Sequence, residues 1–250
     1  MNNFKSFVTG PPVNSDIIAL SEVHVKNYLG NHAVADTHDV DWVVSMNNFF
    51  PDYYWFSSFA GSKAAGQMVG VKKTKERPAV SYSFGPMLHD ADPKHEHSGR
   101  IIILEFTMIF VVCLYVPCNT MNNPHNIEQR KVFDEALASW LRNQRLVSGK
   151  QIVVMGDMNV VKDANYTTKS FDRWHEEALK KTTANTLPIE DISFPGCSDN
   201  EKRRHEIMMK DANLSTCWKP EKDQYISCRG IGMYAGPVIS FLDRITHLFL

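Results

Sequence analysis

The sequence predicts an α/β or α+β domain in which helices cover β-sheets. Three observations predict this fold class: short apolar runs of strand length, segments with the spacing of amphipathic helices, and the order of both along the chain. That order is strand, long polar segment, strand pair, helix, strand, long loop, helix and irregular tail. No repeat, linker or break in composition marks a boundary. We therefore expect a single domain over residues 1–250, in which residues 1–13 form an unassigned lead-in.

Apolar runs predict the strands. The first run, DIIALSEV, covers residues 16–23. The run GRIIILEFTMIFVVCLYVP, residues 99–117, indicates two strands joined around residues 105–107. QIVVMG begins a further strand at Gln151. The aromatic-rich stretch of residues 36–66 is expected to supply strand and core contacts.

Two segments have the apolar spacing of amphipathic helices. In NIEQRKVFDEALASWLRNQRL, Asn126 is the predicted N-cap. In SDNEKRRHEIMMKDANL, Ser198 as the cap and Glu201 three residues later form a predicted capping box. The apolar face of the first helix consists of Val132, Phe133, Ala136, Leu137, Trp140 and Leu141.

Composition and charge narrow the class of protein. With 43% hydrophobic and 22% charged residues and no apolar run of membrane-spanning length, the chain is expected to be globular, with no membrane partner. Its start has no secretory signal, and its five cysteines form neither a C-x-x-C pair nor a disulfide framework. We therefore expect an intracellular protein, nuclear or cytoplasmic, and a monomer. A net charge of −1 neither proves nor excludes a nucleic-acid substrate.

Polar side chains that can bind a cation or a phosphate follow or end three of the apolar runs. They are Glu22, Tyr115, and the pair Asp157 and Asn159. If the three strands are neighbours in one sheet, two carboxylates, a phenol and an amide share one pocket. Mg²⁺ prefers oxygen ligands and usually takes one or two protein carboxylates, which leaves positions for water and phosphate. Such a pocket suits phosphodiester hydrolysis.

Each of these residues also has a purely structural interpretation. A glutamate at a strand end is commonly solvated, and a tyrosine in an apolar strand is commonly an anchored core residue. The composition G-D-x-N is common in turns. For Asp157 and Asn159 alone both interpretations stay open, whereas the joint pattern favours a site.

Several segments resemble, in order and spacing, the exonuclease III-like apurinic/apyrimidinic (AP) endonucleases of the endonuclease/exonuclease/phosphatase superfamily. The most diagnostic are Y-V-P at Tyr115, G-D-x-N at Gly156, and the VSY…H…GR-I-I-I-x-E-F run. The resemblance implies a four-layer α/β sandwich that hydrolyses DNA phosphodiester bonds with Mg²⁺ or Mn²⁺. The implied activity is most like that of an abasic-site endonuclease or 3′ exonuclease of base excision repair. The other matching segments are SDIIALSEV, AAGQMVGV and SFLDRI.

The resemblance also implies roles for individual residues. Glu22 takes the position of a metal-binding glutamate, and Tyr115 that of a tyrosine that contacts the scissile phosphate. Asp157 and Asn159 take the positions that orient or deprotonate the attacking water and hold the phosphate.

The two ends of the chain depart from the family pattern. Asp243 in SFLDRI takes the place of an aspartate that orients a catalytic histidine, whereas a competing alignment puts Thr246 there. Family members open with W-N-[IV]-N/D-G and finish with S-D-H. Residues 1–13 lack the first motif, and the stretch after Asp243 lacks the second. His247 is a weak replacement, because it lies on the same predicted strand as Asp243.

These departures imply a fold that is incomplete at both ends and an activity that is faint. Three accounts fit them: a truncated gene model, a diverged homologue, or a chain completed by another polypeptide. The alternative functions are a catalytically impaired member that binds nucleic acid and a retroelement-type endonuclease. Two smaller departures are His24, where lysine is usual, and Cys118, where asparagine is usual.

Overall fold

The structure is a computed structural model of the 250-residue chain. It describes residues 15–23, 44–59, 65–82, 84, 99–118, 123–160, 189–191, 196, 198–215 and 239–242. The strands are β1 (Ile17–Ser21), β2 (Tyr53–Ser58), β3 (Gln67–Lys72), β4 (Ala79–Ser81), β5 (Ile101–Glu105), β6 (Ile109–Tyr115), β7 (Gln151–Asp157) and β8 (Ile239–Leu242). The two long helices are α1 (Pro124–Ser148) and α2 (Asp199–Asp211); residues 44–49 are also helical, and Ile189–Asp191 form a 3-10 turn.

The chain divides into two compact units. The first comprises Met1–Tyr115, Lys150–Asp157 and Gly236–Leu250, and it contains the eight described strands. The second comprises Val116–Gly149 and Met158–Ala235, and it contains α1 and α2. The single domain expected from sequence stays a prediction.

Two four-stranded sheets make up the described part of the first unit. One has the order β2-β3-β1-β8, and its neighbouring strands all pair antiparallel. The other has the order β4-β5-β6-β7, in which β6 and β7 pair in parallel. The strands predicted from the apolar runs are confirmed as β1, β5, β6 and β7, and the predicted break between β5 and β6 falls at residues 106–108. β3 and β4 were not predicted.

An apolar core fills the space between the two sheets. Side chains alternate between the faces of a strand, so every second residue of β1, β3, β5 and β6 faces this space. The opposite face of the first sheet packs against aromatic residues, among them Phe50, whose ring meets that of Tyr53 edge-on at 6.1 Å. The expected core contacts of the aromatic stretch are thus confirmed for its described part. The inter-sheet core contains Ile17, Ala19, Val69, Val71, Ile102, Leu104, Phe106, Ile109, Val111 and Cys113.

Helix α1 of the second unit begins earlier than predicted. Its N-cap is Asn123, whose side chain accepts a hydrogen bond from the main-chain N–H of His125 at 3.0 Å. The predicted cap, Asn126, is wrong, because Pro124 is favoured in the first helical turn and Asn123 has the extended backbone of a cap. Of the predicted apolar face, Phe133, Ala136, Leu137 and Leu141 are buried.

Helix α2 begins as predicted. The side chain of Ser198 accepts from the main-chain N–H of Glu201, and the Glu201 carboxylate accepts from that of Ser198. This capping box is confirmed. Helices α1 and α2 pack against each other, and Arg145 donates to the main-chain oxygen of Ala212 at 3.0 Å. Within the described part of the chain, neither helix has the length and apolarity needed to cross a membrane.

Candidate active site

Polar residues lie at one end of the inter-sheet core. The alternation of β3 puts Gln67 on the face that carries the core residues, and Gln67 pairs with Ser21 of β1. The alternation of β6 likewise puts Tyr115 on its core face, and Tyr115 pairs with Asp157 of β7. The strand ends of both sheets therefore supply polar groups to the same region of the first unit.

Hydrogen bonds tie the two sheets together at this end. The N–H of Gly66 donates to the oxygen of Gly99 at 3.1 Å, and the N–H of Gly99 donates to Ser58 Oγ at 3.1 Å. Ala65 packs against the buried ring of Tyr115. Ser58 ends β2 of the first sheet, Gly66 directly precedes β3 of the same sheet, and Tyr115 ends β6 of the second sheet. Contacts from both sheets therefore hold this end of the core in place.

Tyr115 interacts with two carboxylates. Its side chain is hydrogen-bonded to Glu22, and Asp157 is close enough to affect it electrostatically. Burial raises the pKa of Tyr115 well above its usual range, and the hydrogen bond and negative charge of Glu22 raise it further. Tyr115 is therefore a neutral phenol at physiological pH, and its hydroxyl donates a hydrogen bond to the Glu22 carboxylate.

The sheet arrangement corrects one sequence expectation. The strands next to Glu22, Tyr115 and Asp157 are not all neighbours in one sheet: β1 belongs to the first sheet, and β6 and β7 belong to the second. The groups still meet, because the sheets pack face to face and β1 contacts both β6 and β7. The pocket is formed between two sheets instead of along the edge of one.

Arg100 is a site neighbour that sequence reasoning missed. Its guanidinium carbon lies 5.0 Å from the centroid of the Tyr115 ring, and Nη1 donates to the main-chain oxygen of Tyr115 at 3.3 Å. The positive charge of Arg100 opposes the rise in the pKa of Tyr115. A cation immediately before an apolar strand, in the GR-I-I-I segment, was the available signal.

Unusual backbone conformations coincide with predicted site residues. Glu22 has a φ of 56° and Asn159 a φ of 43°, which is the left-handed region that non-glycine residues seldom occupy. Such strain persists only where surrounding structure holds it, and it is common at functional sites. Gly156 has a φ of 131°, and a Cβ there would come within 2.9 Å of the main-chain carbon and nitrogen of Leu114. The close parallel pairing that presents Asp157 thus requires glycine at position 156.

Gln67 is a second residue that sequence reasoning missed. It is 1% exposed, and among the described residues neither its amide nitrogen nor its amide oxygen has a hydrogen-bond partner. A buried amide without partners is unfavourable, so its partners are expected to be water or ligand. A lone glutamine at the start of a strand gave no sequence signal for burial.

Asn159 belongs to the second unit. Its side-chain Nδ2 donates to the main-chain oxygen of Val116 at 2.7 Å, and its own main-chain oxygen accepts from Arg130 at 2.8 Å. The Asn159 amide is therefore held in one orientation.

Several predicted residues lie outside the described residues, so their roles stay predictions. They are Asp243, the competing Thr246, and the two histidines His24 and His247. Cys118 is partly exposed and is not in a disulfide.

The sequence is similar to those of known AP endonucleases and an exodeoxyribonuclease. No family model matches the chain. The DNA-(apurinic or apyrimidinic site) endonuclease of Plasmodium falciparum is 28% identical over 169 residues, which cover 68% of this chain and 26% of that protein. An Arabidopsis thaliana protein of the same name is 27% identical over 198 residues, with coverages of 75% and 51%. The Bacillus subtilis exodeoxyribonuclease is 33% identical over 110 residues, with coverages of 44% and 39%.

Solved structures show the same fold. The 3′-5′ exonuclease of Neisseria meningitidis superimposes with a TM-score of 0.53 at 16% identity, covering 84% of this chain and 65% of that chain. The AP endonuclease of Archaeoglobus fulgidus gives a TM-score of 0.51 at 16% identity, with coverages of 82% and 63%. The predicted α/β sandwich of the endonuclease/exonuclease/phosphatase type is confirmed.

The chain is therefore similar in sequence to AP endonucleases, and it shares the fold of a solved 3′-5′ exonuclease and a solved AP endonuclease. The chain spans about a quarter to a half of the length of the two AP endonucleases that it matches. The expected incompleteness at both ends concerns motifs outside the described residues and stays a prediction.

Proposed function

We propose that this chain is a divalent-metal-dependent phosphodiesterase that hydrolyses DNA, most like an abasic-site endonuclease or 3′ exonuclease. The observation that carries the proposal is the meeting of Glu22, Tyr115 and Asp157 at the polar end of the inter-sheet core. The names of the similar curated proteins, AP endonuclease and exodeoxyribonuclease, support the same reaction class.

The residues at this end fit a hard divalent cation. Glu22 and Asp157 supply two carboxylates that face one phenol, and Mg²⁺ typically takes one or two protein carboxylates together with water and phosphate oxygens. The described residues include no group of three or more His, Cys, Asp or Glu side chains that could hold a metal by themselves. We propose that Glu22 binds a Mg²⁺ or Mn²⁺ ion, which when bound would neutralise charge on the phosphate.

The chain's own side chains supply the rest of the chemistry. Asp157 would align the attacking water and accept its proton as the water oxygen bonds to phosphorus and the bond to the leaving oxygen breaks. With Glu22 bound to the metal, the hydroxyl of Tyr115, still a neutral phenol, would turn from Glu22 and donate its hydrogen bond to a non-bridging phosphate oxygen. Asn159 would hold the phosphate through its amide, and Asp243 would take the place of the aspartate that orients a catalytic histidine in the AP endonucleases that the sequence resembles.

An abasic-site duplex is the substrate that we propose, since AP endonucleases are among the similar proteins. We also propose that the protein acts as a monomer in a reducing, intracellular compartment. Neither of the described cysteines, Cys113 and Cys118, is in a disulfide.

The test is nicking of a labelled duplex with one tetrahydrofuran abasic analogue, with Mg²⁺ and with EDTA. We expect Mg²⁺-dependent nicking that Asp157→Asn lowers by about 10²- to 10⁴-fold, because a single proton-transfer residue contributes on that order. Glu128→Gln, which removes a charge from an exposed side chain of α1, is the matched control and should nick like the wild type. Salt-dependent DNA binding without Mg²⁺-dependent turnover, or equal nicking by Asp157→Asn, would contradict the proposal.

A further inference from the structure

Arg130 is a fully buried cation in α1. It is 1% exposed, and its Nε donates to both carboxylate oxygens of Asp134 at 2.9 Å. Its Nη1 lies 3.7 Å from Oε1 of Glu201, which is also 1% exposed. Asp134 also accepts from Arg204 at 3.0 Å. Two arginines and two carboxylates thus balance their charges within the second unit.

The other contacts of Arg130 are with the main chain of two loops. Nη1 donates to the oxygen of Pro117 at 3.1 Å and to the oxygen of Asn159 at 2.8 Å. Pro117 lies two residues after the end of β6, and Asn159 lies two residues after the end of β7. A third hydrogen bond, from Asn159 Nδ2 to the oxygen of Val116 at 2.7 Å, joins the same two loops directly.

The conformation of Asn159 needs such support. Its φ of 43° lies in the left-handed region, which costs energy for a residue with a Cβ and which asparagine tolerates better than most. On another side, Gly196 approaches so closely that a Cβ there would lie 2.8 Å from the oxygen of Asn159. Asn159 is therefore in contact with Arg130, Val116 and Gly196, and the main-chain oxygen of Val116 orients its amide.

Charge alone does not explain why an arginine lies here. A buried ion pair adds little net stability over a well-packed apolar pair, because both charges lose their hydration. The planar fork of arginine can donate in several fixed directions at once, whereas a lysine ammonium presents a compact point charge without that geometry. The fork of Arg130 reaches a carboxylate on its own helix and two loop carbonyls.

We propose that Arg130 is a positioning residue for catalysis: it holds the Pro117 and Asn159 carbonyls and thereby sets the orientation of the Asn159 amide. The role rests on the proposed phosphodiesterase function, in which Asn159 holds the phosphate. Arg130 itself does not touch the substrate. It acts through the backbone of the loop that follows the G-D-x-N motif.

The test compares Arg130→Lys with Leu141→Ala in the full chain. Lysine keeps the buried charge, so the variant is expected to fold. Leu141 is fully buried on the same helix, about 16 Å from Arg130 along the axis at 1.5 Å per residue, and its truncation destabilises without touching the loops. We measure kcat and KM for Mg²⁺-dependent nicking, and hydrogen exchange of peptides that cover residues 116–118 and 158–160.

For Arg130→Lys we expect kcat to fall about 10- to 100-fold with KM nearly unchanged, and exchange to rise at both loops. Leu141→Ala should keep kcat near the wild-type value at a temperature where it is folded. Wild-type loop exchange in Arg130→Lys, or wild-type kcat despite faster exchange, would overturn the proposal. If the wild-type protein does not nick DNA at all, the proposed function fails, and the exchange comparison alone decides whether Arg130 holds the loops.

Discussion

Glu22 and Tyr115 share a hydrogen bond although they follow or end strands of different sheets. Glu22 comes directly after β1 of the first sheet, and Tyr115 is the last residue of β6 in the second. Asp157, which pairs with Tyr115 in register, adds a second carboxylate. The contact therefore joins the two sheets at the end where the carboxylates and the phenol meet.

Removing the Tyr115 hydroxyl should reduce activity far more than stability. In Tyr115→Phe the buried ring remains, so we expect a loss of about 0.5–1.5 kcal/mol in the free energy of unfolding, the usual contribution of one hydrogen bond. The rate of nicking should fall about 10²- to 10³-fold, as when one donor to a developing oxyanion is removed. Single-turnover nicking and urea denaturation measure the two effects. Tyr54→Phe is the control, because Tyr54 lies near the start of β2, at the opposite end of that strand from Ser58. An equal loss of rate in both variants would argue against a specific role for the Tyr115 hydroxyl.

The raised pKa of Tyr115 predicts how stability depends on alkaline pH. Above about pH 10, the ordinary tyrosine pKa, the phenol ionises in the unfolded chain but stays protonated in the folded one. The folded state then binds one more proton, so the free energy of unfolding falls by about 1.4 kcal/mol per pH unit from this residue. The contribution is complete below pH 10 and is lost as pH rises through the folded pKa. Urea denaturation from pH 9 to 11 should show a steeper decline for the wild type than for Tyr115→Phe; parallel curves would refute the assignment.

Local patterns predicted β1, β5, β6, β7 and both long helices, because the periods of strands and helices are encoded in neighbouring residues. The sheet that each strand joins is not encoded locally, so the sequence could only suppose that the strands of Glu22, Tyr115 and Asp157 share one sheet, whereas the structure divides them between two. The capping box at Ser198 was predicted from the spacing of Ser198 and Glu201. The cap of α1 was misplaced because Asn123 and Asn126 are both suitable N-cap residues, and only the preference of Pro124 for the first helical turn favours Asn123.

The candidate site was predictable only where residue type and strand end coincide. Tyr115 and Asp157 end apolar runs and were therefore found. Gln67 and Arg130 were not, because glutamine at a strand start and arginine within a charged helix are normally solvated. Their burial depends on tertiary packing that no local pattern encodes.

Substitution of Gly156 should prevent normal folding. Alanine at this position would place its Cβ against the main chain of Leu114 in the neighbouring strand, and its φ of 131° is accessible mainly to glycine. We expect Gly156→Ala to lower the free energy of unfolding by about 3 kcal/mol or more, since clash and backbone strain add.

Gly149→Ala is the matched control for this substitution. Gly149 also has a positive φ, 65°, but nothing lies within 4 Å of a Cβ built there. Its loss should be about 1 kcal/mol, the usual penalty for a left-handed residue after a helix. Urea denaturation compares the free energies of unfolding of the two variants. Equal losses would show that the contact with Leu114 is not the reason why position 156 requires glycine.

The buried amide of Gln67 predicts a gain in stability together with a loss of function. Gln67→Leu replaces two polar atoms that have no described partner with an apolar group of similar size, and it should raise the free energy of unfolding by about 1–3 kcal/mol. If the amide binds water or phosphate at the site, the same change should slow nicking by about tenfold or more, as stabilised active sites commonly lose activity. Gln144→Leu, on the partly buried surface of α1, is the control and should change neither quantity by much. A destabilised Gln67→Leu with unchanged nicking would instead mean that the amide is satisfied within the folded chain and has no role at the site.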